Sequence, residues 1–204
     1  IDAYNDKYTL GRAGDIRFID KYSDLIAEQG GHTEMDCYNS TVSIRQVEDV
    51  ELKSKYGSYE FEEARNLSIS SAYNDKYEIE SLRSLIVTDS KYGVYRIDYL
   101  DNSLLLDEGY SDKLYIKGSG GLKGLKVNGK YVVLELGIDE KTDFRFKADV
   151  KYPKFDINEE AMNIKIKIKE GSDLKMEAIK GTETEGMPSF YVNGYDMAVT
   201  LTEQ

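Results

Sequence analysis

Lys55-Tyr56-Gly57-Ser58-Tyr59-Glu60-Phe61-Glu62-Glu63-Ala64-Arg65-Asn66-Leu67-Ser68-Ile69-Ser70-Ser71-Ala72-Tyr73-Asn74-Asp75 contains one whole structural unit and the start of the next. Its apolar positions are Tyr59 and Phe61, then Ala64, then Leu67 and Ile69, a spacing of two, three, three, two. Steps of two put side chains on one face of a strand; steps of three mark a corner with its own inward residue. The same template fits Val42, Ile44, Val47, Val50 and Leu52 before it, and Tyr77, Ile79, Leu82, Leu85 and Val87 after it. Apolar positions at helical spacing never persist across a unit, and β-branched and aromatic residues crowd the runs.

Working outward, a tyrosine marks each unit: Tyr4, Tyr22, Tyr38, Tyr56, Tyr73, Tyr92 and Tyr110, whose numbers differ successively by 18, 16, 18, 17, 19 and 18. Each sits among turn formers, as in Tyr4-Asn5-Asp6, Tyr38-Asn39-Ser40 and Tyr110-Ser111-Asp112, residues that tolerate left-handed dihedrals or bond their own backbone. One repeat is therefore strand, corner, strand, tyrosine corner. A unit this short cannot bury its own apolar face, but stacked neighbours can. The fold class expected is all-β, a single-stranded parallel β-helix (β-solenoid) with coils of 16–19 residues, about 4.8 Å apart. Variable coil length, and Val42, Tyr77 and Leu114 where a left-handed hexapeptide solenoid needs small residues, favour the right-handed form.

Residues 5–21 fit the template through Tyr8, Leu10, Ala13, Ile16 and Phe18. Residues 22–37 fit poorly, with Glu28 and Glu34 at or near inward positions and Gly30-Gly31 in the corner, so that coil is expected to be irregular. Residues 1–130 read as solenoid repeats, loosening at Gly118-Ser119-Gly120-Gly121. Residues 131–204 read as wider coils or a capping β segment of the same continuous domain. Its expected strands are Tyr131–Leu136, Asp143–Val150, Met162–Lys169, Leu174–Ile179, Phe190–Val192 and Met197–Thr202. Gly171-Ser172-Asp173 and Asn193-Gly194 look like hairpin turns.

The chain has 204 residues and a net charge of −11, from 27 Lys and Arg against 38 Asp and Glu. That balance argues against a duplex nucleic-acid partner. No apolar run approaches the roughly 20 residues of a membrane-spanning helix. Tyrosine supplies 17 of the 23 aromatic residues. Cys37 is the one cysteine and His32 the one histidine, so an intramolecular disulfide, a cysteine zinc site and a Ser-His-Asp centre are not expected. The chain opens on Ile1 rather than Met, from which removal of an upstream segment is expected. No motif names a reaction, and no catalytic or metal residue is assigned.

Tandem Tyr/Gly-cornered repeats, the stretch Phe144-Arg145-Phe146-Lys147-Ala148-Asp149-Val150-Lys151-Tyr152 and a short closing strand resemble the head-GIN type auto-transporter adhesins of Bacteroidetes-type bacteria. The Gly-Ile-Asn signature has its nearest counterpart in Gly137-Ile138-Asp139, which differs at the last residue. The resemblance implies a right-handed β-helix, export to the periplasm, outer membrane or cell surface (often as a lipoprotein), and an adhesive role toward a glycan, an extracellular protein or an envelope protein. It carries no catalytic residues. A carbohydrate-active enzyme on a parallel β-helix and a structural envelope subunit are the alternatives.

Three features are candidate sites. The tyrosine column could face outward as a sugar-binding strip or inward as core plugs, and the inward, structural role is favoured. Asp6, Asp24, Asp75 and Asp112 share a corner column, with Asp20 and Asp36 close by, which could bind Ca²⁺; solvated turns are the favoured reading, with no cofactor. Ile86 and Leu105 fall at outward positions on successive coils and suggest a contact with the C-terminal segment, a partner or a second copy. Arg65, Arg83 and Arg96 on successive coils are a faint signal of lyase chemistry.

Overall fold

The computed structural model describes residues 1–204, the side chain of Ala3 excepted. The strands are β1 (Asp2–Tyr4), β2 (Lys7–Arg12), β3 (Ile16–Lys21), β4 (Asp24–Tyr38), β5 (Thr41–Lys55), β6 (Ser58–Tyr73), β7 (Lys76–Lys91), β8 (Val94–Tyr110) and β9 (Lys113–Gly118). There follow β10 (Gly124–Lys130), β11 (Val133–Ile138), β12 (Phe144–Lys151), β13 (Lys154–Asp156), β14 (Met162–Glu170), β15 (Asp173–Lys180), β16 (Ser189–Tyr195) and β17 (Ala198–Glu203). From β4 to β8 each strand is one entire coil, bent at its middle and paired in parallel with the coils on both sides. The protein is a β-solenoid. Among the described residues no helix is long and apolar enough to cross a membrane.

The template places the core. Val42, Tyr59, Tyr77 and Tyr95 lie in register, as do Val50, Leu67, Leu85 and Leu104, and all are buried. Tyr59, Tyr77 and Tyr95 stack face to face, their ring centroids 5.2 and 4.7 Å apart.

The coil at 22–38 is regular, contrary to expectation. Its inward residues are Leu25, Ala27, Gly30, Thr33 and Met35, which pair with Val42, Ile44, Val47, Val50 and Leu52. Their spacing is again two, three, three, two; Gly30 and Thr33 disguise it by being small or polar. Glu28 and Glu34 point to solvent, and Glu34 pairs with Arg17 at 3.3 Å.

The corners are set by one residue per coil at positive φ. These are Asn5, Tyr22, Asn39, Tyr56, Asn74, Tyr92, Ser111 and Tyr131, with φ between 54° and 63°. Their numbers advance in steps of 17, 17, 17, 18, 18, 19 and then 20, a smoother series than that of the tyrosines. The difference arises because the tyrosine alternates from coil to coil, standing at the left-handed position in one and just before it in the next.

The C-terminal region contains both further coils and a cap, in an order that differs from the order of the chain. β12 and β13 do not stack on β10 and β11. They stand one coil further out, and the gap is filled by β16 and β17, the last strands of the chain. β16 pairs in parallel with β10 on one side and β12 on the other, and β17 likewise with β11 and β13. β15 then pairs antiparallel with β12, and β14 with β15, closing the end as a hairpin turned at Gly171. Asn193-Gly194 makes no hairpin: it lies inside β16, paired with Asn128-Gly129. Ile164, Ile166 and Ile168 on the outermost strand stay exposed, because no layer lies beyond it. The interleaved Lys165, Lys167 and Lys169 and a register shift between Ile164 and Ile166 blunt that edge against further pairing.

The inserted coil demands close backbone approach. Gly194 has φ 152°, and a Cβ there would lie 1.9 Å from the Gly129 carbonyl oxygen. Gly194→Ala should lower the unfolding free energy by about 2 kcal/mol or more. Gly11→Ala, whose Cβ would meet nothing within 4 Å, should leave the urea midpoint unchanged; equal behaviour of the two would contradict the inserted coil.

Candidate ligand-binding edge

The tyrosine column faces outward. Tyr4, Tyr22, Tyr38, Tyr56, Tyr92 and Tyr110 are 37–69% exposed, and Tyr73 is half-buried. The favoured inward placement is corrected by the corner itself. The residue after the left-handed one turns inward, and Ser23, Ser40, Gly57, Asp75, Gly93 and Asp112 fill that column. The ladder is also longer than the seven tyrosines found from spacing, for Tyr131, Tyr195 and Tyr152 extend it across the last coils. Tyr131 and Tyr152 follow Tyr110 in two steps of 21, a lengthened continuation of the repeat that spacing alone signals, whereas Tyr195 escapes it because it sits between Tyr131 and Tyr152 in space but follows both in the chain. Neighbouring rings meet edge to face, with centroids 5.2–5.8 Å apart. That geometry requires alternate ring orientations, which the alternating corner positions supply.

Five of these rings, Tyr22, Tyr56, Tyr92, Tyr131 and Tyr152, occupy left-handed backbone positions. A bulky residue there costs roughly 1–2 kcal/mol, where Asn or Gly would fit with little strain. At Tyr22, Tyr56, Tyr92 and Tyr131 two edge-to-face contacts at about 0.5–1.5 kcal/mol each offset that cost; Tyr152, at the end of the ladder, has one. The ladder therefore holds its own strain, and the outer surface of each ring remains open.

Beside it runs a groove of about 740 Å³ lined by Tyr22, Tyr38, Tyr56, Asn39, Thr41, Ser58, Asn74 and Lys76, together with Ser40 and Gly57. Aromatic faces, hydroxyls and carboxamides line it, and no carboxylate does. Such a surface suits a ligand with apolar faces and many hydroxyls.

The acidic corners behave differently. Asp75 and Asp112 are buried, Asp6 is exposed, and Asp24 lies one position further along, outside their column. The Asp75 carboxylate accepts the N–H groups of Gly57 (2.6 Å) and Tyr73 (3.0 Å) and the Ser54 hydroxyl (3.0 Å). Two coils on, Asp112 accepts Gly93 N–H (2.6 Å), Tyr110 N–H (2.9 Å) and the Ser90 hydroxyl (2.8 Å). Ser54 and Ser90 also bond the hydroxyls of the core residues Tyr59 and Tyr95. Asp20 accepts from Ser23 N–H at 3.2 Å and from the Ser40 hydroxyl. Asp36 is exposed and pairs with Lys53 at 3.3 Å. The lone pairs of Asp75 and Asp112 thus cap the turn backbone.

Ile86 and Leu105 are in register. Ile86 is 43% exposed and Leu105 half-buried; the C-terminal strands stack at the end of the solenoid and do not cover them. Arg65 and Arg83 flank a second groove of about 460 Å³ at the other corner, with Glu48, Glu63, Tyr99 and Asp101. Arg96 lies away from it, bound to Glu78 at 2.8 Å. Cys37 is buried, and burial pushes its thiol up to about 12, so it is a poor nucleophile. His32 is exposed. The chain matches no family model, no curated protein and no solved structure.

Burial pushes the Asp112 carboxyl up to about 6 against the hydrogen bonds that favour its anion. The folded state therefore binds the proton more tightly than the unfolded state, and Asp112 costs stability as pH rises from about 4 to about 6, with no further change above. Its contribution should fall by roughly 2–3 kcal/mol across that window. Urea unfolding of the wild type and Asp112→Asn between pH 4 and 7 should show the difference moving against the wild type as pH rises. A pH-independent difference would contradict the assignment.

Proposed function

We propose that this chain is a non-enzymatic, exported β-solenoid of adhesin type whose tyrosine edge binds an extended ligand, a glycan above all. The observation that carries this reading is the exposed aromatic ladder beside a groove free of carboxylates. A stack of coils forms a stiff, straight scaffold, so rings repeated at each coil match a chain-like ligand better than a compact one. Export and an adhesive role are supported by the resemblance in repeat pattern, and the polar, repetitive exterior agrees with presentation of a long binding face.

Tyr38 and Tyr56 line the groove, and no hydrogen bond engages their hydroxyls among the described residues. Phenylalanine in their place keeps the ladder, whereas alanine removes it. Binding to a panel of glycans and matrix proteins, by calorimetry with and without Ca²⁺, should identify a saturable ligand. Tyr38→Ala/Tyr56→Ala should weaken that binding at least about tenfold, and Tyr38→Phe/Tyr56→Phe should keep it within about threefold. Equal affinity of the alanine variant, with its circular dichroism unchanged, would remove the edge as the binding site.

A further inference from the structure

We infer that the tyrosine edge recognises a linear anionic glycan, its carboxylate or sulfate groups meeting a row of lysines spaced two coils apart. This rests on the reading of the edge as a glycan site and names the ligand class. In the register column just before the left-handed corner, tyrosine and lysine alternate without exception. Tyr4 pairs with Lys21, Lys21 with Tyr38, Tyr38 with Lys55, Lys55 with Tyr73, Tyr73 with Lys91, and Lys91 with Tyr110. Lys130 and Lys151 continue the series on either side of Tyr195.

Among the described residues the fold gives Lys21, Lys55, Lys91 and Lys130 no ion pair, whereas the Lys151 ammonium stands 5.7 Å from the centre of the Tyr152 ring. On the flat faces the cations pair with carboxylates of the next coil: Arg17 with Glu34, Arg45 with Glu62, Lys53 with Asp36, Lys117 with Asp98. The four corner lysines stay unpaired among the described residues, although the chain carries a net charge of −11. They do not guard a sheet edge either, since every coil there is paired on both sides. An exposed, unpaired ammonium repeated beside an aromatic strip is a receptor for repeated anions on a ligand with apolar faces.

The spacing selects among polyanions. Two coils span about 9.6 Å, close to the length of a disaccharide unit in an extended 1,4-linked chain, so charges recurring at every second sugar match the lysine row. Phosphates of a single-stranded nucleic acid recur at shorter intervals and fall out of step. Lys76 adds a further cation in the groove beside Tyr56. Asp89, Asp107 and Glu108 line the far side of the edge beside Lys91 and Lys130, which directs the ligand toward the groove holding Lys76.

Affinity of the full chain for oligogalacturonate, a heparin oligomer, neutral cellohexaose and oligo(dT) tests this at low and high salt. At least one of the two anionic glycans should bind at least about tenfold tighter than cellohexaose and weaken as salt rises. Lys21→Gln/Lys55→Gln/Lys91→Gln should lose at least about tenfold of that affinity with its urea midpoint unchanged. The face variant Lys53→Gln/Lys117→Gln should stay within about twofold. Unchanged affinity in the triple variant, or tighter binding of oligo(dT) than of either anionic glycan, would overturn the inference. Cellohexaose bound as tightly as the anionic glycans, and lost in Tyr38→Ala/Tyr56→Ala, would overturn it while leaving the proposed function standing. Binding of none of these glycans would overturn the inference, and binding of no member of the wider panel of glycans and matrix proteins would overturn the proposed function as well.

Discussion

Each coil turns on a single residue held at positive φ, and the rest of the architecture is arranged around that corner. The left-handed residue reverses the pleat, so the side chain after it points inward and the one before it points outward. Asn and Ser accept these dihedrals at small cost. Tyr does not, and it takes the position in every second coil of the ladder. The compensation is lateral: a ring at the corner in one coil and one residue earlier in the next lie at right angles and meet edge to face. The structural period of this edge is therefore two coils, not one. Ser54, Gly57, Tyr59, Tyr73 and Asp75 recur as Ser90, Gly93, Tyr95, Tyr110 and Asp112 with the same bonds.

Turning a coil this tightly leaves backbone N–H groups facing the core, where an unmet donor costs about 1–3 kcal/mol. From Gly57 to Asp112 the inward corner column answers with glycines and carboxylates in alternation. Gly57 and Gly93 make room, since a Cβ on Gly57 would lie 2.5 Å from the Tyr59 hydroxyl oxygen and one on Gly93 2.8 Å from the Tyr95 ring. Asp75 and Asp112 then reach back to the glycine N–H of the preceding coil. The stacked core tyrosines complete the arrangement, placing their aromatic bodies among aliphatic residues and their hydroxyls in the polar corner. Most of the polar atoms inside this solenoid have a donor or acceptor facing them, the exceptions among the core and corner residues being Asp20 Oδ1, Thr33 Oγ1 and the Tyr77 hydroxyl.

The coil length and the inward template were legible because burial selects apolar residues at fixed spacing, as at Val42, Ile44, Val47, Val50 and Leu52. Where the inward residue is Gly30, Ala27 or Thr33, the same geometry is present but hydrophobicity does not signal it. That is why a regular coil read as irregular. The direction of the tyrosines was hidden for a different reason. Apolar patterning reports which residues avoid water, whereas Tyr38 or Tyr56 is placed by backbone dihedrals and by a neighbour one full coil away. The lysine alternation has the same origin: it exists in the register between coils, and becomes visible only when Lys21, Tyr38 and Lys55 are set side by side.

The C-terminal insertion follows no local pattern at all, because it is a decision about order. Residues 139–188 run outward past an empty coil position, build β12 and β13 and the β14–β15 hairpin, and return so that β16 and β17 fill it. Without those last strands, β10 and β12 would stand about 9.6 Å apart with two unpaired edges facing each other. The cap therefore cannot close on the solenoid until β16 and β17 are in place, and its contacts join parts of the sequence up to 87 residues apart. Gln204 donates to the Lys117 carbonyl oxygen at 2.6 Å, and Lys180 bonds the Glu140 carbonyl oxygen while pairing with Glu203. Contacts of such separation form late, after the loop entropy between them has been lost. The solenoid grows by local stacking of each coil on the one before it; the cap locks by a long-range step that needs β16 and β17.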